Sequence, residues 1–272
     1  MTACHGIIGW PLGHTLSPAL HNWGFARLGL DATYEAWPTK PDDLADFIVR
    51  MRAQSIRGVS VTIPHKRAVM PLIDRLTERA MAVGAVNTLY WQDGLLCGEN
   101  TDVTGLAAPL KALGSLPGTA LVLGAGGAAR AAVAALHELG VPEILVANRT
   151  LDTARDLARQ MTARAVTWEA RMDQGAGLVC NTTPLGMSGD LKNATPWDAD
   201  RHTPGMIVYD IVYNPLHTRF LREAEAAGCV TVSGLEMFLH QGLAQFRLWT
   251  GRDLDEAGAR TLLLERLADP HR

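Results

Sequence analysis

Short apolar runs alternate with longer amphipathic stretches along the whole chain. In the first third, the runs 6–10, 33–37, 58–63 and 86–90 have the length and the β-branched and aromatic content of strands. Between them, 18–28 and 44–51 place apolar residues at helical spacing. Strand, helix, strand in this order predicts an α/β fold with a mainly parallel sheet. Gln92-Asp93-Gly94, set between two apolar runs, predicts a hairpin turn.

A helix is expected over 103–113, followed by Gly114-Ser115-Leu116-Pro117-Gly118, the best linker candidate in the chain. The alternation then restarts. Strands are expected at 120–123, 143–147, 177–180, 206–210 and 230–232, with helices at 128–139 and 151–161. Two helical stretches, 235–249 and 256–267, close the sequence. Met237, Phe238, Phe246 and Trp249 have helical spacing and are expected in the core.

Composition narrows the class. The 272 residues are 47% hydrophobic and 19% charged, enough apolar surface for one large or two medium cores. A net charge of −3 with no basic run argues against nucleic acid or an anionic membrane as partner. No apolar stretch has the ~18 residues of a membrane span. The four cysteines are scattered without a CxxC pair, which suits a reducing cytoplasm and points to neither disulfides nor zinc. No secretory leader is expected from the first residues.

The clearest chemistry lies at Leu121-Val122-Leu123-Gly124-Ala125-Gly126-Gly127-Ala128-Ala129. Strand, glycine turn and helix follow one another with the spacing Gly124-x-Gly126-x-x-Ala129, a dinucleotide fingerprint. Gly124 permits the tight turn, Gly126 lets the backbone approach a pyrophosphate, and Ala129 allows close helix packing. The helix start offers free N–H groups to the phosphates. The next strand ends in Asn148-Arg149-Thr150 rather than in a carboxylate. A cation there suits the 2′-phosphate of NADP; a surface arginine at a strand end is the bland alternative.

Lys66 follows a strand that stops at Pro64, and Asp102 opens a helix after a second apolar run. Each alone reads equally as a solvated lysine and a helix-start acid. Thr15 and Ser17 supply two hydroxyls, and Asn87 and Gln241 supply amides. Ser17 before Pro18 also reads as an N-cap. Such a set suits a small polyhydroxylated acid. His14, His65 and His240 read as hydrogen-bonding or helix-start residues, since no HExxH occurs. Glu78 reads as a solvated helix position.

Taken in order, these motifs resemble the shikimate dehydrogenase family over nearly the whole chain. They are GxPxxHxxSPxxHN from Gly9, SVTIPHK ending at Lys66, GAVNT around Asn87, NTDxxG around Asp102, GAGGAAR from Gly124 and NRT at 148–150. NTTPLGM from Asn181, YDIVYNPLHT from Tyr209 and GLEMFLHQG…FRLWTG from Gly234 complete the set. The resemblance implies an N-terminal α/β substrate domain and a Rossmann-type NADP domain with a cleft between them. Residues 1–101, joined by 236–272, would form the first and 102–235 the second. It further implies that Thr15 and Ser17 hold a carboxylate. Thr62, Asn87 and Gln241 would bind ring hydroxyls, with Tyr213 nearby, and Lys66 and Asp102 would be the catalytic pair. Gly124, Ala125, Gly126, Gly127, Ala128, Asn148, Arg149, Thr150, Ile211 and Gly234 would meet NADP.

The implied activity is the reversible NADPH-dependent reduction of 3-dehydroshikimate by a cytoplasmic monomer or homodimer, in chorismate and aromatic amino-acid biosynthesis. Three positions depart from the family pattern: Thr15 and Ser60 stand where Ser and Asn are usual, and Thr153 where a second cation often follows NRT. A quinate/shikimate dehydrogenase using NAD is therefore the runner-up. A sensing protein without turnover would be expected to lack Lys66 or Asp102, and both are present.

Overall fold

The computed structural model describes residues 2–13, 15–54 and 56–268, which form two compact units. Unit 1 comprises Met1–Thr101 with Gln241–Arg272, and unit 2 is Asp102–His240. The chain returns to unit 1 inside a helix, at Gln241 rather than at 236.

Unit 1 carries β1 (Ala3–Gly9), α1 (Ser17–Arg27), β2 (Ala32–Pro38), α2 (Leu44–Ala53) and β3 (Ile56–Val61). There follow α3 (His65–Ala68), β4 (Arg75–Leu76), α4 (Glu78–Val83), β5 (Thr88–Gln92) and β6 (Leu95–Glu99). The sheet order is β2-β1-β3-β5-β6-β4. β1 pairs parallel with β2 and β3, but β5 is antiparallel to both β3 and β6. β4 pairs parallel with β6, so the sheet is mainly parallel, as expected, with β5 as its one antiparallel strand. The cause is the expected hairpin: Asp93 (φ 53) and Gly94 (φ 78) are both left-handed, the two-residue turn that joins only antiparallel neighbours. Ile8, Met51, Val59, Leu89 and Leu96 fill the main core of this unit. Ile7, Phe25, Tyr34 and Phe246 form a second cluster.

Unit 2 begins with α5 (Thr101–Ala112), whose first residue still belongs to unit 1. It continues with β7 (Thr119–Leu123), α6 (Gly127–Glu138), β8 (Glu143–Ala147), α7 (Leu151–Gln160) and β9 (Arg164–Val166). β10 (Leu178–Asn181), β11 (Ile207–Asp210), α8 (Arg219–Ala226) and β12 (Val230–Val232) complete it. All strand pairs are parallel, in the order β12-β11-β10-β7-β8-β9. That is the doubly wound Rossmann order, whose direction reverses between β7 and β10. Leu121, Val122 and Leu123 are fully buried, as central strands covered on both faces must be.

The 114–118 segment joins α5 to β7 within unit 2 and is no boundary. Pro117 is packed: a methyl on Gly177 would meet its ring at 2.6 Å. β4, β9 and α8 are elements that the apolar pattern alone does not announce. The two strands span only two and three residues, and α8 buries only Phe220, Leu221 and Ala224. α9 (Gly234–Thr250) and α10 (Glu256–Ala268) end the described chain. Phe246 is fully buried, but Met237, Phe238 and Trp249 are only half-buried. Among the described residues no helix is long and apolar enough to cross a membrane.

Candidate functional site

In unit 1 the polar candidates collect at the carboxyl ends of β1 and β3. The Thr62 N–H donates to Ile8 O at 2.9 Å, and Gly9 leaves no room for a side chain, since a methyl there would lie 2.4 Å from the Thr62 methyl. Lys66 is half-buried in α3, and its carbonyl accepts from Val86 N at 2.7 Å. The next residue, Asn87, has a carbonyl that accepts from Val61 N at 2.7 Å. These bonds bring Thr62, Lys66 and Asn87 to one end of the sheet. Asn87 is buried, with Oδ1 accepting from Thr101 N at 2.7 Å and Nδ2 donating to Thr101 Oγ1 at 3.0 Å.

Thr15 and Ser17 are also together: Thr15 Oγ1 donates to Ser17 Oγ at 3.2 Å. The N-cap expectation for Ser17 fails. Ser17 lies inside the first turn of α1 and makes no capping bond. Thr15 Oγ1 instead accepts from Ser17 N at 3.2 Å, so the local structural task falls to Thr15. Gln241 lies buried in α9.

Unit 2 holds the glycine turn at the switch point of its sheet. Gly124 has φ +112, and a methyl there would lie 2.6 Å from Thr182 Oγ1, so only glycine fits. A methyl on Gly126 would meet nothing within 4 Å, leaving open space above the backbone at the start of α6. α6 has no side-chain cap, and its first N–H groups are available to an anion. Ala129 is fully buried, the close packing that the third fingerprint position requires. Ala125, Gly127 and Ala128 are half-buried along the turn. A pyrophosphate fits this cradle.

At the end of β8, Asn148 Nδ2 donates to Thr150 O at 3.0 Å, while Arg149, Thr150 and Thr153 are exposed. Ile211 and Gly234 are in contact: a methyl on Gly234 would lie 2.3 Å from Ile211 O. Tyr213 packs on Phe238 with ring centres 5.1 Å apart, and burial raises its phenol pKa. Asp102 sits buried in the first turn of α5, one residue past Thr101, and Lys66 belongs to the other unit.

Sequence reasoning gave no role to the buried network behind the turn. Asp210 accepts from Thr218 Oγ1 at 2.7 Å, Asn181 Nδ2 at 2.9 Å and Val212 N at 3.1 Å. Burial nevertheless raises its pKa to about 6. Thr183 Oγ1 donates to Asn181 Oδ1, and Thr182 Oγ1 donates to Leu123 O at 2.6 Å, tying the loop after β10 to the end of β7. The signal available was the run of polar residues directly after an apolar strand.

The histidines fit their structural reading. His65 Nε2 lies 2.7 Å from Thr39 O in a buried setting, and His240 is 3.7 Å from Glu236. His14 lies outside the described residues. Glu78 is exposed. Among the described residues no three His, Cys, Asp or Glu side chains are grouped to hold a metal.

A Rossmann unit with a phosphate cradle and a second α/β unit displaying hydroxyls, amides and a lysine define a dinucleotide-using two-domain class. Residues 7–89 match the shikimate dehydrogenase substrate binding domain, 110–174 match shikimate/quinate 5-dehydrogenase, and 234–264 match the shikimate 5′-dehydrogenase C-terminal domain. The shikimate dehydrogenase (NADP(+)) of Maridesulfovibrio salexigens is 52% identical over 262 residues, 96% of each chain. The crystal structure of the Thermus thermophilus shikimate 5-dehydrogenase with NADP(H) and shikimate superimposes with a TM-score of 0.88 at 40% identity, covering 97% of this chain and 99% of that one. The quinate dehydrogenase of Corynebacterium glutamicum in complex with NAD gives 0.92 at 31% identity, with the same coverage. The chain belongs to the shikimate dehydrogenase family.

Proposed function

We propose that this chain catalyses the reversible NADPH-dependent reduction of 3-dehydroshikimate to shikimate, the step that serves chorismate and aromatic amino-acid formation. The observation that carries the reading is the relationship to the NADP(+) enzyme over 96% of both chains, which spans both units. Unit 1 binds the ring acid and unit 2 the dinucleotide. Thr15 and Ser17 hold the carboxylate. Thr62, Asn87 and Gln241 orient the ring hydroxyls, and Tyr213 adds a phenol. The turn from Gly124 through Ala125, Gly126 and Gly127 to Ala128 cradles the pyrophosphate. Asn148, Arg149 and Thr150 meet the ribose phosphate, and Ile211 and Gly234 complete the cofactor wall.

When bound, the nicotinamide supplies or accepts the hydride. The protein handles the proton. Lys66 hydrogen-bonds the reacting oxygen and relays the proton, and Asp102 shares that bond and keeps the oxygen aligned. The protein works in the cytoplasm as a monomer or homodimer, without nucleic-acid, membrane or metal partners.

One observation favours a second reading, a quinate/shikimate dehydrogenase using NAD. Thr153 puts an uncharged, exposed side chain in the first turn of α7, four residues after Arg149, and the quinate enzyme above is crystallised with NAD. Initial rates with shikimate and quinate, each with NADP and NAD, decide between them. High kcat/KM for shikimate with NADP alone supports the first; comparable rates with quinate or NAD overturn it in favour of the second.

A further inference from the structure

We propose that Gln245 is a positioning residue that fixes which end of the Asn87 amide faces the substrate, with Thr88 as relay. The proposal rests on the reading that Asn87 binds the substrate ring. Asn87, Thr88, Thr101 and Gln245 are all buried, so their hydrogen bonds must be settled within the protein. The Asn87 carbonyl only accepts, and Gln245 Nε2 donates to it at 3.2 Å. The Gln245 oxygen therefore points the other way, where it accepts from Ser60 Oγ at 2.8 Å. Ser60 in turn accepts from the Tyr34 hydroxyl at 2.6 Å.

Gln245 Nε2 also donates to Thr88 Oγ1 at 3.0 Å. Having accepted there, the Thr88 hydroxyl turns its single proton to Asn87 Oδ1 at 2.8 Å. With Thr101 N donating to the same oxygen at 2.7 Å, the Asn87 amide cannot flip. In the proposed reading the amide turns its nitrogen, which also donates to Thr101 Oγ1 at 3.0 Å, rather than its oxygen toward the ring. Gln245 stands four residues after Gln241 on α9, so the helix that supplies one proposed substrate ligand also sets the orientation of another. The departure at position 60, Ser where Asn is usual, falls on the same network: Ser60 is the hydroxyl that closes it.

The test uses the full-length enzyme with Asn87→Ala, Gln245→Met, Thr88→Val and the Gln245/Thr88 double variant. Steady-state KM for shikimate and for NADP, kcat and Tm are measured for each. Gln245→Met and Thr88→Val are each expected to raise the shikimate KM roughly tenfold, the worth of about one hydrogen bond, with the NADP KM unchanged. The double variant should be no worse than the poorer single, because both cut one relay. A shikimate KM within twofold of the parent in both single variants, while Asn87→Ala raises it, overturns the relay and leaves the site reading standing. An unchanged KM in Asn87→Ala overturns the site reading and the relay together. Parallel rises in both KM values with a fall in Tm show a merely structural role and also overturn the relay. If Gln245→Met does not fold, Thr88→Val decides alone.

Discussion

The two units solve recognition in opposite ways. Unit 2 presents backbone: a left-handed Gly124, an open Gly126 and the uncapped start of α6. Unit 1 presents side chains: hydroxyls and amides, each tied to neighbours by hydrogen bonds. A phosphate is nearly spherical in its demands and is met by fixed dipoles. A ring with distinct hydroxyls needs donors and acceptors in a set order, which only side chains supply. The contrast teaches that the dinucleotide half of such a protein is set by steric permission and the substrate half by polarity.

Lys66→Ala is expected to do the most damage. In the proposed reading it lowers turnover about 1000-fold while NADP still binds, as titration of the reduced nicotinamide's fluorescence would show; near-normal turnover removes Lys66 from the chemistry. The converse is Gly124→Ala. Its methyl would enter at 2.6 Å from Thr182 Oγ1 on a left-handed backbone. The expected result is a rise in NADP Kd of at least ~30-fold, two kcal/mol of strain, with unit 1 intact by hydrogen exchange. An unchanged Kd would mean the turn does not cradle the cofactor.

Acid separates the units by sign. Burial in an aromatic cluster lowers the His5 pKa to about 4 and the His21 pKa to about 3, with ring centres 4.5 Å apart between His21 and Tyr34. Unfolding lets both rings take protons near 6.5, so their contribution falls as pH drops below 6.5. Asp210 runs the other way: burial raises its pKa to about 6 from an ordinary 3.8. Its penalty grows as pH rises through that window and fades on acidification. Urea melts between pH 7 and 4.5 are therefore expected to show unit 1 losing stability first, and His21→Phe should flatten its loss. An equal decline in both units would contradict this. Thr153→Arg should improve NADP over NAD by only a few-fold, measured as the ratio of kcat/KM values.

The doubly wound half was legible because its constraints write themselves as composition. β8 runs over 143–147 as the pattern predicts, since a buried parallel strand is a continuous apolar run, and β12, at the sheet edge, is marked over 230–232 by its β-branched residues. The glycine spacing was legible for the same reason. Unit 1 was legible only in outline. Its hairpin turn at Asp93-Gly94 could be read, and with it the one antiparallel strand of a mainly parallel sheet. The Ser17 cap was misassigned because Ser-Pro fits an N-cap locally, while the hydroxyl two residues earlier took the bond. The link from Asn87 to Gln245 spans 158 positions; a glutamine on a helix carries no mark of so distant a partner. The Asp210 network was hidden likewise, because its meaning depends on burial rather than on residue type.

Arg149 is exposed to solvent. In the proposed reading this surface arginine decides between two cofactors that differ by one phosphate, and it does so in contact with bulk electrolyte. Charges in that setting are screened over a Debye length of about 8 Å at physiological ionic strength. The preference for NADP is then no fixed constant of the protein but a property shared with its medium. It is widest in dilute buffer and narrows as salt rises, whereas the steric permission written into Gly124 is indifferent to ions.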